Sequence, residues 1–485
     1  MKTIVIKYFI FISCTFSSLA QTQLGNDVDG EAASDFFGWS TAISSSGETI
    51  IVGAPNNDEI ADESGHARIF RWNGSNWQQL GNDIDGSADD DALGWSVAIS
   101  ADGNRFAVGA KQAFAFDVGY VKVFDWDGTS WNQVGSTLTG DNNGDEFGYA
   151  VSLSSDGNRL AIGAIGTDVN GGSSGEGSVY EWNGNNWQQL GQNINGSSVG
   201  VRLGVAIDIN DIGNTLIVGA EESDGKGSVQ IYDFNGTNWI QRGTKLEGDA
   251  GFNLFGSTLE LTGDGNRFIA GALFNDAAGT DAGQAKIFEW NGTNWDQVGS
   301  DLFGENSEDQ FGSAVSISSD GSRIAIGARF HSTMDGNFFG KTYTYDWNGS
   351  SWSLFGNTIL GEAAGNGSGN AIALSSDGNR LLIGATGNSD AGNLAGHVRI
   401  FQFSTLAIEE FDQHSISVYP NPVTNKLYIE GFKNTIARIY NIQGQLIISS
   451  KILSNFLDMS NLPSGQYLLK LENNEQVSMK KIIKN

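Results

Sequence analysis

The chain has 485 residues with 27 basic and 56 acidic side chains, a net charge of −29, a single cysteine and 66 glycines. Between residues 21 and 404 the imbalance sharpens to 49 acidic against 17 basic side chains, which repels nucleic acid and anionic lipid and leaves solubility as the plainest use of the charge. Since the cysteine is Cys14, near the N-terminus, a chain cleaved behind it has no disulfide, thiolate metal site or cysteine nucleophile.

Residues 1–20 read as a secretory signal peptide: Lys2 and Lys7 precede an apolar run, and Ser18 and Ala20 stand three and one positions before Gln21. A lipoprotein cysteine at Cys14 is the rival reading, weakened by a short apolar core. No later segment reaches the roughly 18 apolar residues that cross a bilayer, so no transmembrane segment is expected in the mature protein.

From residue 21 the chain repeats. A Gly-Ala pair recurs at Gly53, Gly109, Gly163, Gly219, Gly271, Gly327 and Gly384, at intervals of 52 to 57 residues, and such a period signals a repeat architecture. In Gly94 to Ala110, Trp95, Val97 and Ile99 alternate with Ser96, Ala98 and Ser100, the period of a strand with two different faces. It reads as an innermost strand whose small face admits the neighbouring blade. Asp102-Gly103 then turns the chain into a second strand, because glycine supplies the positive φ of a tight hairpin. Tyr120 to Phe124 reads as a third strand, and Asp127-Gly128 leads into a fourth from Trp131. Four antiparallel strands make one propeller blade.

The seventh copy ends at Phe403 without a Trp-led fourth strand, and Gln23-Leu24-Gly25 matches Gln79-Leu80-Gly81. The reading is therefore an all-β chain: a seven-bladed β-propeller over 21–404, closed by an N-terminal strand at 21–26 that pairs with residues 397–403. Phe147-Gly148-Tyr149-Ala150-Val151, Ile51-Val52-Gly53-Ala54-Pro55 and Phe311-Gly312-Ser313-Ala314 resemble the FG-GAP repeat of integrin α-chains and bacterial surface proteins. That resemblance implies the fold; function is a property of the site. Members of the family often bind calcium in an Asp-rich loop between the first two strands. That loop is here a short Ser-Asp-Gly-Asn, so the calcium site does not carry over.

The loops between second and third strands, and those entering each blade, share one face and hold most of the acid, including Asp89, Asp90 and Asp91. Long loops on a rigid scaffold are where binding concentrates. Calcium on clusters such as Asp83-Ile84-Asp85 or Asp141 to Asp145 competes with the reading of solvated carboxylates and no cofactor. A glycosidase needs two facing carboxylates, and no blade departs from the repeat in a way that singles out such a pair, so a non-catalytic protein is expected. His66 and His397 match in position at the starts of third strands and read as strand-end polar residues rather than a metal pair. Trp39, Trp95 and Tyr149 open the inner strands of the first three blades, where later copies have Val205, Ser257, Ser313 and Asn370. They form an aromatic arc suited to stacking on a sugar or a partner side chain, with packing as the alternative. The Asn-Gly-Ser/Thr triplets, as at Asn73, read as hairpin turns rather than glycosylation sites.

After Ser404 tryptophan disappears and three of the four prolines cluster. A linker at 405–415 leads to a small β-sandwich at 416–485. Ser417-Val418-Tyr419-Pro420-Asn421-Pro422, Gly444-Gln445-Leu446, Leu462-Pro463-Ser464-Gly465 and Lys480-Lys481 resemble the C-terminal sorting domain of the type IX (Por) secretion system of Bacteroidetes. The resemblance implies the secretion machinery as a partner and a product released or attached to the outer cell surface. A glycan or extracellular protein is the expected ligand, and a polysaccharide hydrolase is the alternative function.

Overall fold

A computed structural model describes residues 19–112, 117–333, 336–405, 417–430, 436–441, 446–452, 456–472 and 477–485. Residues 1–18 of the signal segment and nearly all of the expected linker lie outside them. The described chain divides into Leu19–Ser404 and a unit of the residues from Thr405 on.

Every described element is a strand. The first unit consists of seven antiparallel sheets of five strands each, one more per sheet than the repeat suggested. In the second blade the strands are Leu93–Ile99, Arg105–Ala110, Tyr120–Trp126 and Trp131–Gln133, and a two-residue strand, Leu138–Thr139, returns to pair with Tyr120 and Val121. Two residues are too few to show a period in sequence.

Glycine decides how closely blades approach. A Cβ on Gly109 would lie 2.3 Å from the carbonyl oxygen of Gly148 in the next blade, and one on Gly271 would lie 2.1 Å from that of Gly312; only a residue without a Cβ fits there. The Gly-Ala pair ending one second strand thus faces the loop glycine opening the next blade. Beside this contact the Ser96 hydroxyl donates to Gly148 O at 2.7 Å, while Ala98 packs toward the third blade and Val97 toward the first. The two-faced inner strand expected from the sequence is what the sheets use.

The ring is closed by a cycle. At the Asp-Gly turns, the N–H groups of Ser45, Ala101, Ser155, Asp211, Gly263, Ser319 and Ser376 each donate to the carbonyl of the next member, and Ser376 returns to Ser45 at 3.2 Å. Around the outside, tryptophans latch neighbouring blades: Trp131 Nε1 donates to Leu80 O at 2.7 Å and Trp187 Nε1 to Val134 O at 3.1 Å. The apolar core lies between blades, where Ile51, Ile69, Leu93, Phe106 and Val108 are fully or almost fully buried in one cluster, each side chain contributing about 2 kcal/mol by leaving water.

The last blade is completed by the N-terminal segment. Leu19–Gln23 pairs with His397–Thr405, the Leu24 N–H donates to Ile400 O at 2.7 Å, and Val28–Asp29 pairs with Val398 and His397. The strand starts two residues before the expected 21–26. Gln21 stands where other blades have the latch tryptophan, and it accepts a hydrogen bond from Asn357 N at 3.1 Å instead.

The second unit holds a three-stranded sheet and a four-stranded sheet. Both contribute to one apolar cluster containing Leu427, Ile439, Leu457, Leu469 and Ile482.

Candidate functional site at the channel mouth

The seven inner strands surround a central channel. A cavity of about 300 Å³ in it is lined by Thr41, Val97, Val151, Ile207, Leu259, Val315 and Ile372 among others. The turns ring one end, where a further cavity is lined by Ser45, Ala101, Ser155, Asp208 and Glu260 among others, and the inner strands begin at the other.

At that beginning the three aromatics meet. The Trp39 and Trp95 rings lie 4.7 Å apart between centroids, and Trp95 and Tyr149 lie 5.6 Å apart, tilted by 45° and 51°. All three are half-buried. A register shift between Leu93 and Ser96, with Gly94 at φ 90°, carries Trp95 out of the regular ladder. Asn370 Nδ2 donates to Trp39 O at 3.3 Å and continues the arc toward the seventh blade.

A residue that the sequence reading passed over completes the group. Lys111 Nζ sits 3.3 Å from the Trp95 ring centroid and 5.7 Å from that of Tyr149, a cation over aromatic faces. Burial holds the pKa of this ammonium below the usual lysine value, and burial pushes the Tyr149 phenol up to about 12. Nearby Arg202 is held by Glu221 at 3.0 Å. Lys111 follows the Gly-Ala pair of its blade, where other copies have Pro55, Ile165, Glu221, Leu273, Arg329 and Thr386. Aligning that column would have found it.

The three aspartates are placed differently. Asp89 is exposed, and Asp90 has φ 63° with its N–H donating to Asp62 O at 2.8 Å. Asp91 is 2% exposed. Its carboxylate accepts from Ser87 N at 2.7 Å, Ala88 N at 3.1 Å, Gln112 Nε2 at 2.6 Å and the Tyr120 hydroxyl at 2.8 Å. The same column holds Asp35, Asp145 and Asp309, whose carboxylates brace the same loop through Ala32 N, Asn142 N and Asn306 N. Asp91 therefore braces a loop, and its oxygens already have donors.

The expectation that no blade singles out a carboxylate pair needs correction. At the fourth position of the inner strand, where other blades have Ala42, Ala98, Ser152, Ser316 and Ala373, the fourth and fifth blades carry Asp208 and Glu260. Both face the channel. Burial, with the Asp208 charge behind it, pushes Glu260 up to about 8, and burial, with the Asp211 charge behind it, pushes Asp208 up to about 6. Each is also fastened: Asp208 accepts from Ser152 Oγ at 2.6 Å and Leu261 N at 2.7 Å, and Glu260 accepts from Ile317 N at 3.1 Å. Ser152 and Ser316 accept likewise from Ile209 N and Leu374 N. The column is a ladder in which one blade's side chain satisfies an N–H of the next.

Comparison with known proteins adds the family context. Residues 28–70 and 131–180 match the FG-GAP repeat, and residues 417–485 match the secretion system C-terminal sorting domain. The chain carries FG-GAP repeats and a Por sorting tail. The tail marks it as a type IX secreted protein, released or held at the cell surface. Among the described residues no helix is long and apolar enough to cross a membrane. No curated protein matches the sequence. Solved structures similar to it include the periplasmic gluconolactonase PpgL of Pseudomonas aeruginosa, at 12% identity over 88% of this chain and 99% of that one with a TM-score of 0.48. The Dos1 propeller matches at 14% identity over 79% and 94%, TM-score 0.44. PorZ, a surface component of the type IX secretion system of Porphyromonas gingivalis, matches at 14% over 90% and 64%, TM-score 0.38.

Proposed function

We propose that the propeller is a secreted, non-catalytic binding module that takes an acidic glycan at the channel mouth. The observation that carries this reading is the contiguous arc of Trp39, Trp95 and Tyr149 with the Lys111 ammonium upon it. Half-buried rings offer apolar faces to the C–H side of a sugar. Among the described residues Lys111 is in no ion pair, on a propeller otherwise rich in carboxylates, so a sugar carboxylate or sulfate gives it a partner. A protein ligand presenting an acidic and an aromatic side chain is the second occupant of the same surface.

The alternative, a polysaccharide hydrolase, is favoured by one feature: burial and the Asp208 charge raise the Glu260 pKa to about 8, toward the protonated form a general acid requires. Against it stands the fastening of both carboxylates to backbone N–H groups of the next blade. Binding of the full-length protein to an array of neutral and acidic glycans, with reducing-sugar release measured on the same glycans, separates the readings. Retention of acidic glycans without release is expected; release that disappears in Glu260→Gln would replace binding by hydrolysis.

A further inference from the structure

Two histidines open third strands at matching places in the ring. His66 opens the third strand of the first blade, is fully buried, and has no hydrogen-bond partner for either ring nitrogen among the described residues. A buried imidazole left so costs free energy unless something binds it. Its Nδ1 lies 4.0 Å from Asp83 Oδ2, and one ligand atom each from His66, Asp83, Glu31 and Glu59 falls within 4.8 Å of the others. The Glu31 and Asp83 carboxylates are thus neighbours in one set.

The arrangement occurs twice. His397 opens the third strand of the last blade, is 1% exposed, and its Nδ1 has no hydrogen-bond partner among the described residues. It lies 3.6 Å from Asp27 Oδ2, with Glu362 completing a set within the same span. The register is identical: His66 pairs with Asp85 and His397 with Asp29, each two residues after the aspartate of its set. Glu31 and Glu362 each follow a glycine at the same place in the repeat.

The sixth blade shows what balances this position. Lys341 stands where the histidines stand, and its ammonium holds Glu305, the counterpart of Glu31 and Glu362, at 2.8 Å. In the two histidine blades a buried imidazole stands in place of that side-chain cation. Arg68 reaches both Glu31 at 3.3 Å and Asp83 at 3.8 Å, and Arg399 reaches Glu362 at 3.2 Å, so one cation faces three carboxylates in the first set and two in the second.

We propose that these two clusters are divalent transition-metal sites that clamp the closure of the ring. One imidazole nitrogen with two or three carboxylate oxygens suits Zn²⁺ and its first-row neighbours, whereas Ca²⁺ and Mg²⁺ take oxygen ligands throughout. A tetrahedral zinc shell with bonds of about 2.1 Å draws the ligands closer than they stand, and the carboxylates, on loops with solvent on one side, are the groups that move. Their location gives the purpose. Asp27 and Glu31 both belong to the N-terminal segment that completes the last blade, so one ion ties that segment to His397 and the other ties it to His66. This is the closure at which Gln21 replaces the tryptophan latch.

The test is metal content of the full-length protein, stripped with chelator and dialysed against ZnCl₂ in excess CaCl₂. Two zinc ions per chain are expected, one in His66→Gln and one in Asp27→Asn, and none in the double variant Asp83→Asn/Asp27→Asn, which keeps both buried rings. Zinc should raise Tm by several degrees in the unmodified protein and not in that double variant, as binding to the folded state requires. Circular dichroism of the stripped variants confirms that each folds. Retention of no zinc, zinc content unchanged by the substitutions, or displacement of the zinc by calcium would each overturn the proposal.

Discussion

The inner strands of blades one to three and of blades four to six have the same backbone and opposite chemistry. The first group opens with Trp39, Trp95 and Tyr149 and has Ala42, Ala98 and Ser152 at the fourth position. In the second group Val205, Ser257 and Ser313 come first, and Asp208, Glu260 and Ser316 stand fourth. One half of the ring therefore builds an aromatic shelf at the mouth, and the other, joined by Ser152 of the third blade, builds a polar ladder inside the channel. What both halves share, such as the paired glycines and the turn cycle, is scaffold; what distinguishes them is the chemistry each presents to the channel.

The largest expected effect falls on the shelf. Replacing Trp39, Trp95 and Tyr149 together by alanine removes about 1 kcal/mol of ring contact at each position, so glycan affinity should drop by about 100-fold in isothermal titration while the far-ultraviolet spectrum stays that of the parent. Loss of the folded spectrum would assign the rings to packing and erase the functional half of the contrast. Next come the shared glycines: Gly109→Ala in one half and Gly271→Ala in the other should each cost about 2 to 3 kcal/mol by overpacking in denaturant unfolding. Unequal costs would show that the two halves are not built on one scaffold.

The ladder responds to pH. Because the folded-state pKa of Glu260 lies above its ordinary value, ionising it opposes folding; the penalty is absent below about pH 4.5, grows as pH rises and is complete above about 8. Glu260→Gln keeps an oxygen acceptor for Ile317 N and should raise Tm by a few degrees above pH 8, with the gain vanishing below pH 4.5. The two histidines titrate in the opposite sense. Their folded-state values of about 4 mean that the unfolded chain binds protons first, so their contribution to stability is lost as pH falls from about 6.5 to 4. The smallest effect belongs to Ser152→Ala, which takes a donor from Asp208 and an acceptor from Ile209 N and should cost about 1 kcal/mol; Ala98→Gly, in the half without a ladder, tests the same position without that loss.

Much of this was legible in the residues. Repeated Gly-Ala, Asp-Gly and Asn-Gly phrases mark strands and turns because glycine is required wherever blades touch or the chain reverses, and Gln23-Leu24-Gly25 declared the closing strand by matching an internal copy. The arc was legible too, since three aromatics break a column of small residues. Asp91 misled because a buried loop brace and a ligand carboxylate have the same side chain. Asp208 and Glu260 were passed over because they stand 52 residues apart in the chain and become a pair only across a blade boundary.

By itself the sequence determined the blade, the repeat, the direction of closure and the secretion tail, because turns, strand periodicity and sorting motifs are local along the chain. Tertiary structure alone decided which side chains meet. Lys111 on Trp95, Glu260 beside Asp208, and the gathering of His66 with Asp83 and Glu31 each join residues from separate strands, loops or blades. Proximity of that kind is set by ring closure and inter-blade packing, which bring distant turns of one repeat into a single neighbourhood.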